Sequence, residues 1–119
     1  MISGLGGVSI WSSDLNNLLP FYRDTIGLKV VAETERFVLL GQEQAPSLGL
    51  GSHSEVSGKA KDPYRCMVGF TTDDIHSDVQ RLKGKGVEFI EEPNDQDGLI
   101  LATLKDPEGN LVQLFQFMR

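Results

Sequence analysis

"SSDLNNLLPFYRDTIGLKVV" (residues 12–31) has an echo later in the chain, "TTDDIHSDVQRLKGKGVEFI" (residues 71–90). In the first stretch Leu15, Leu18, Leu19, Tyr22 and Ile26 fall on one stripe of a helix; in the second, Ile75, Val79 and Leu82 do the same. Capping residues stand at the start of each stripe: Asp14, Asn16 or Asn17 in one case, Asp73 or Asp74 in the other. Gly27 is placed to end the first helix. Proline is tolerated only in a helix's first turn, so Pro20 predicts a ragged start and regular helix from about Leu18 to Ile26. A repeat of this kind predicts two like modules packed together.

Outward from the helices the pattern changes to strands. "GLGGVSIWS" (4–12) alternates Val8 and Ile10 with Gly7, Ser9 and Trp11, the period of a strand with two unlike faces. "LKVVAETE" (28–35) and "RFVLLGQ" (36–42) read as a hairpin turning near Thr34–Arg36, and "SLGLG" (47–51) as a short strand. "SHSEVSGKAKDPY" (52–64) has no hydrophobic period and reads as a linker or loop. Beyond it, "RCMVGFTT" (65–72) is a strand, and "VEFIEE" (87–92) another with Val87, Phe89 and Glu91 on one face. "GLILATLKD" (98–106) and "NLVQLFQF" (110–117) form a hairpin through the turn "DPEGN". The predicted class is α+β, one domain over 1–119, with module one at 4–52, a linker at 53–64 and module two at 65–118.

Composition narrows the function. Hydrophobic residues make up 39% and charged ones 24%, an ordinary globular balance. The net charge of −6 supplies no basic footprint for nucleic acid and disfavours anionic membranes. It favours cationic ligands only weakly. The single cysteine, Cys66, allows no internal disulfide and no cysteine-based zinc site. The opening "MISGLGGVSI" is unlike a secretory signal, and no apolar run reaches the roughly 18 residues of a membrane span. The expectation is a cytoplasmic protein with no nucleic-acid or membrane partner.

Taken together, "VSIWSSDLNNLLPFYRDTIGLKVV", "MVGFTTDDIHSDVQRLKGKGVEFIEEP" and "LKDPEGNLVQLFQ" resemble the vicinal-oxygen-chelate superfamily, which includes glyoxalase I, extradiol dioxygenases, fosfomycin-resistance enzymes and bleomycin-resistance proteins. The resemblance implies two βαβββ modules whose sheets curve into a cup, with helices outside. It also implies a homodimer. Enzymes of the family hold a divalent metal with four inward strand residues, usually a His, a Glu, a second His and a Glu. Counted from the shared motifs, these positions are Gly7, Gly49, Met67 and Gln113. Two glycines and a thioether are poor company for such a metal, and Gln113 alone cannot hold it. A slip of one residue brings Val8, Leu50 and Val68 or Cys66 instead, and restores no ligand set. No metal and no cofactor are therefore expected.

Other residues read more plainly. His53 and His76 are taken as surface histidines, Asp106 as a turn residue, and Asp14, Asp73 and Asp74 as caps. Glu91, Glu92, Asp95 and Asp97 read as a solvated acidic loop, and Cys66 as a buried structural thiol. "GLGG" (4–7) precedes no helix start and is no phosphate loop.

The same register places Gly7, Ser9, Trp11, Gly49, Gly51, Met67, Gly69, Thr71, Gln113, Phe115 and Phe117 on the inner faces. Glycines should leave space there, with Trp11, Phe115 and Phe117 as walls and Arg36 as a rim charge for a ligand carboxylate. Ser9, Trp11, Arg36, Met67, Gln113, Phe115 and Phe117 are the candidate ligand-binding residues. The expected function is binding of a small, largely apolar or aromatic molecule without a divalent metal. The alternative is a glyoxalase- or dioxygenase-like enzyme with an atypical site. A metal-independent enzyme using Gln113 or a rim acid, and a module acting through protein contacts, stay open.

Overall fold

The structure is a computed structural model and describes residues 1–41 and 46–118. The protein is α+β and divides into two compact units, Met1–Gly58 and Lys59–Arg119. Each unit holds a four-stranded mixed sheet of the same topology.

In the first unit, β1 (Gly7–Ser12), β2 (Val30–Glu33), β3 (Phe37–Leu40) and β4 (Ser47–Ser52) stand in the order β1-β4-β3-β2. β1 runs parallel to β4, and the other pairs are antiparallel. Their register sorts the side chains into two faces. Val8, Leu48 and Leu40 form one cross-strand row, and Ile10, Leu50 and Val38 the next. Val38, Leu40, Leu48 and Leu50 are buried, as are Leu15, Leu18, Phe21 and Tyr22 from the connection between β1 and β2. The opposite face carries Ser9, Gly49 and Leu39 in one row and Trp11, Gly51 and Phe37 in another. β1 starts at Gly7 rather than at Gly4, and the last residue of the "RFVLLGQ" stretch, Gln42, lies outside the described residues.

The expected α-helix from Leu18 to Ile26 is corrected. A 3-10 turn, Leu15–Asn17, is capped by the Asp14 carboxylate, which accepts from Asn16 N. The following Phe21–Thr25 segment winds as a π-helix, with Ile26 N donating to Phe21 O at 2.8 Å. Phe21 and Tyr22 are adjacent, both buried and edge-to-face with centroids 5.0 Å apart. The wider turn lets two consecutive rings share one side, which a regular α-helix does less well.

In the second unit, β5 (Val68–Thr71), β6 (Phe89–Asp95), β7 (Leu99–Lys105) and β8 (Leu111–Phe117) stand in the order β5-β8-β7-β6. Helix α1 (Ile75–Gly84) buries Ile75, Val79 and Leu82, the predicted stripe. Asp74 caps it by accepting from Ser77 N, and the Gln116 Oε1 accepts from Ile75 N at 2.8 Å, so two of the helix's free donors are satisfied. Ala102, Leu104, Val112 and Leu114 are buried on one face of the sheet, and Leu111 is buried on the other.

The turn between β7 and β8 is built on Asp106, which is 5% exposed. Its carboxylate accepts from Glu108 N (2.8 Å), Asn110 N (2.9 Å) and Asn110 Nδ2 (2.8 Å). Gly109 takes φ of 81°, a conformation costly for any residue with a Cβ. The turn fixes Lys105 opposite Leu111 and, two steps inward, Thr103 opposite Gln113.

Three further expectations fail here. Cys66 is exposed, not buried, because β5 begins at Val68 and Cys66 precedes the sheet. Glu91, Glu92 and Asp95 belong to β6 rather than to a loop; only Asp97, with φ of 56°, sits in the turn. Phe89 and Glu91 do not share a face. Phe89 lies opposite Leu104 and Glu91 opposite Thr103, so the strand carries one extra residue, Ile90, between them.

Candidate functional site

The predicted site residues sort by unit. In the first, Trp11 and Arg36 line a recess of about 370 Å³ with Phe37, Ser52, His53 and Ser54. Trp11 comes from β1 and Phe37 from β3, and their rings lie 5.6 Å apart across Gly51 of β4. The His53 ring meets Trp11 edge-on at 5.6 Å. His53 Nδ1 accepts from Glu55 N at 3.0 Å, which makes Nε2 the N–H donor of the neutral ring. Trp11 stays 41% exposed, a large apolar ring left open to solvent.

The glycines do not leave the space expected of them, because neighbouring rings occupy it. A Cβ added at Gly49 would meet Phe37 Cζ at 2.5 Å and Ser9 Oγ at 3.0 Å. One added at Gly51 would run into the six-membered ring of Trp11, with Phe37 Cδ1 at 2.9 Å. Gly69, in the second unit, lies under the Phe115 ring in the same way. Each glycine is a flat bed for an aromatic ring, a tertiary match that fixes the ring's orientation. Ser9 thus packs over Gly49, and Phe115 covers Gly69.

In the second unit, Met67 and Gln113 line a recess of about 340 Å³ with Tyr64, Ile90, Glu91 and Thr103. Gln113 is half-buried and lies between Gly69 of β5 and Thr103 of β7. Phe117, at the end of β8, is 64% exposed and lines neither recess. The sequence reading missed Phe37 and His53 in one recess, and Tyr64, Ile90 and Thr103 in the other. Phe37 was legible in principle, since it alternates with Val38 in a strand already recognised.

Gly7, Gly49, Met67 and Gln113, the positions that the resemblance assigns to metal ligands, have surroundings of their own. Gly7 backs onto the Ser47 carbonyl, where an added Cβ would sit 2.7 Å from the oxygen, and Gly49 lies beneath Phe37. Neither offers a donor or room for one. Met67 and Gln113 contribute a thioether and a neutral amide. Among the described residues, no group of three or more His, Cys, Asp or Glu side chains is placed to hold a metal ion. This donor set does not fit a divalent metal of the kind the family's enzymes use. Gln113→Glu should not create a tight site, since the added carboxylate gains no nitrogen ligand. Calorimetric titration of that variant with Ni²⁺, Zn²⁺ and Mn²⁺ checks this; one-to-one binding at micromolar or tighter affinity would overturn it.

Comparison with known proteins agrees with this architecture. Bacillus subtilis (strain 168) YetH, described as an uncharacterized protein, is 24% identical over 118 residues, covering 96% of this chain and 98% of its own. The crystal structure of TnmS3, an antibiotic binding protein from Streptomyces sp. CB03234, superposes with a TM-score of 0.79 at 26% identity, covering 98% of this chain and 97% of that one. A protein of unknown function from Agrobacterium tumefaciens str. C58 shares the fold with a TM-score of 0.81 at 20% identity, covering 99% and 97% of the two chains. The family model described as Glyoxalase/Bleomycin resistance protein/Dioxygenase superfamily matches residues 4–114, and with nearly its whole length matched the chain belongs to that superfamily.

Proposed function

We propose that this protein binds a small, largely apolar or aromatic molecule, without a divalent metal at Gly7, Gly49, Met67 and Gln113. The observation that carries the reading is the pair of rings, Trp11 and Phe37, seated on Gly49 and Gly51 with Trp11 open to solvent. Flat rings held in place by their beds offer a stacking surface whose ordering cost is already met in the free protein. The likeness to an antibiotic binding protein at 26% identity supports a binding role. The reading also makes the protein a cytoplasmic homodimer, and a sedimentation mass of a single 13.1 kDa chain would remove the dimer.

Trp11 is the chain's single tryptophan, so its emission reports on this recess alone. Titration with proflavine, a planar cation, and with 1-anilinonaphthalene-8-sulfonate, an anionic aromatic, should quench or shift that emission saturably for at least one of them. A linear, non-saturating response to both counts against the proposal. An atypical enzyme is the second reading, favoured by the polar row of Glu91, Thr103 and Gln113 in the other recess. Turnover of a glyoxalase- or dioxygenase-type substrate in the presence of chelator would favour it.

A further inference from the structure

β7 and β8 pair without a break, but β6 does not. Phe89 lies opposite Leu104 and Glu91 opposite Thr103, so Ile90 is the extra residue of a bulge. In unbroken register Glu91 would stand opposite Ala102, which is fully buried on the face covered by α1. A carboxylate there would be desolvated without a partner. The bulge turns Glu91 to the other face. There, with Ile90, it joins Tyr64, Met67, Thr103 and Gln113 around the recess. Glu91, Thr103 and Gln113 follow one another across three strands. A carboxylate, a hydroxyl and an amide thus stand in a row, with neighbours roughly 5 Å apart.

Two observations set this row apart. Thr103 is 5% exposed, and its hydroxyl bonds to no other described residue. No sealed side-chain oxygen or nitrogen among the described residues lacks a partner, so that hydroxyl opens into the recess. Glu91 is in no ion pair among the described residues, although Glu88 pairs with Lys105 (3.6 Å) and Glu92 with Lys83 (2.5 Å) on either side of it. The first unit has the same bulge, with Val30 opposite Leu40 and Ala32 opposite Leu39. There the residue turned outward is Ala32. The bulge belongs to the repeated module, while the carboxylate is particular to the second unit.

We infer that this recess recognises a protonated amine on an apolar body. The ammonium donates to the Glu91 carboxylate and to the side-chain oxygens of Thr103 and Gln113, while Tyr64, Met67 and Ile90 cover the carbon skeleton. An ammonium has three donors and no acceptor, which matches three oxygens. An anion would face an unpaired carboxylate in a chain of net charge −6. The inference rests on the small-molecule reading and gives this second recess a ligand charge and class of its own.

The test is an NMR titration of the ¹⁵N-labelled full chain with phenethylamine hydrochloride, benzyl alcohol and phenylacetate. The amine should shift the backbone amides of Glu91, Thr103 and Gln113, and phenylacetate should not. Glu91→Gln, at an exposed position, should weaken the amine about fivefold, the scale of a solvent-screened ion pair, and leave benzyl alcohol unchanged. Thr103→Val, of similar shape without the hydroxyl, should also weaken the amine. An amine that leaves those amides unmoved, or that binds Glu91→Gln as it binds the wild type, overturns the inference. Either result is independent of the dye titration at Trp11, which reads the other unit.

Discussion

Asp106→Ala is expected to lower the free energy of unfolding by about 3–5 kcal/mol, a large share of the roughly 5–15 kcal/mol that holds a domain folded. The carboxylate accepts from two backbone N–H groups and one side-chain amide, all at 2.8–2.9 Å, and is 5% exposed. Alanine leaves those donors without an acceptor in a place water reaches poorly. The turn also sets the pairing of β7 with β8. A slip of one residue there would move Gln113 from the recess face to the core face and reverse every neighbour. Asp106→Asn keeps one oxygen for the backbone donors and loses the bond to Asn110, so its cost should be well under half that of alanine. Urea unfolding of the three proteins, followed by circular dichroism, measures this. A loss below about 1 kcal/mol for Asp106→Ala would show that the turn holds its shape without the carboxylate.

The repeat, the succession of strands along each module and the alternation of faces were readable from the chain, because they follow from local periods; the order of the strands in each sheet was not. Ile75, Val79 and Leu82 fall on one stripe whatever they pack against, and Val112 and Leu114 must share a face opposite Gln113. What escaped the sequence depends on pairing between distant residues. The bulge at Ile90 exists only relative to Leu104 and Thr103, and it moved Glu91 from the face of Phe89 into a recess. Glycines read as empty space because their partners, Phe37 over Gly49 and Phe115 over Gly69, lie elsewhere in the chain. The π-helical segment at Phe21–Thr25 answers to two buried rings in succession, a demand the stripe pattern does not encode. The composition of the site was therefore partly legible, and its geometry much less so.

Gly51→Ala should weaken dye binding at Trp11 more than tenfold while costing only about 1–3 kcal/mol of stability. An alanine Cβ at this position would fall inside the contact distance of the Trp11 ring, 2.8 Å from Cε3, and 2.9 Å from Phe37 Cδ1. The two rings are in contact, with centroids 5.6 Å apart, and the His53 ring meets Trp11 edge-on at the same spacing. The easier way out is toward solvent, where Trp11 is already 41% exposed. The stability cost is then modest, but the stacking surface is lost. Three readings separate these effects. Far-ultraviolet circular dichroism should be unchanged, Trp11 emission should shift to the red, and saturable quenching by the dyes should disappear. Gly84→Ala is the matched control, because nothing lies within 4 Å of a Cβ there and its backbone is helical. It should bind as the wild type does and unfold slightly later, since alanine loses less backbone entropy than glycine on entering a helix. If Gly51→Ala keeps full dye affinity with a red-shifted Trp11, the rings over Gly49 and Gly51 are not the binding surface, and the function proposed for this recess must be given up.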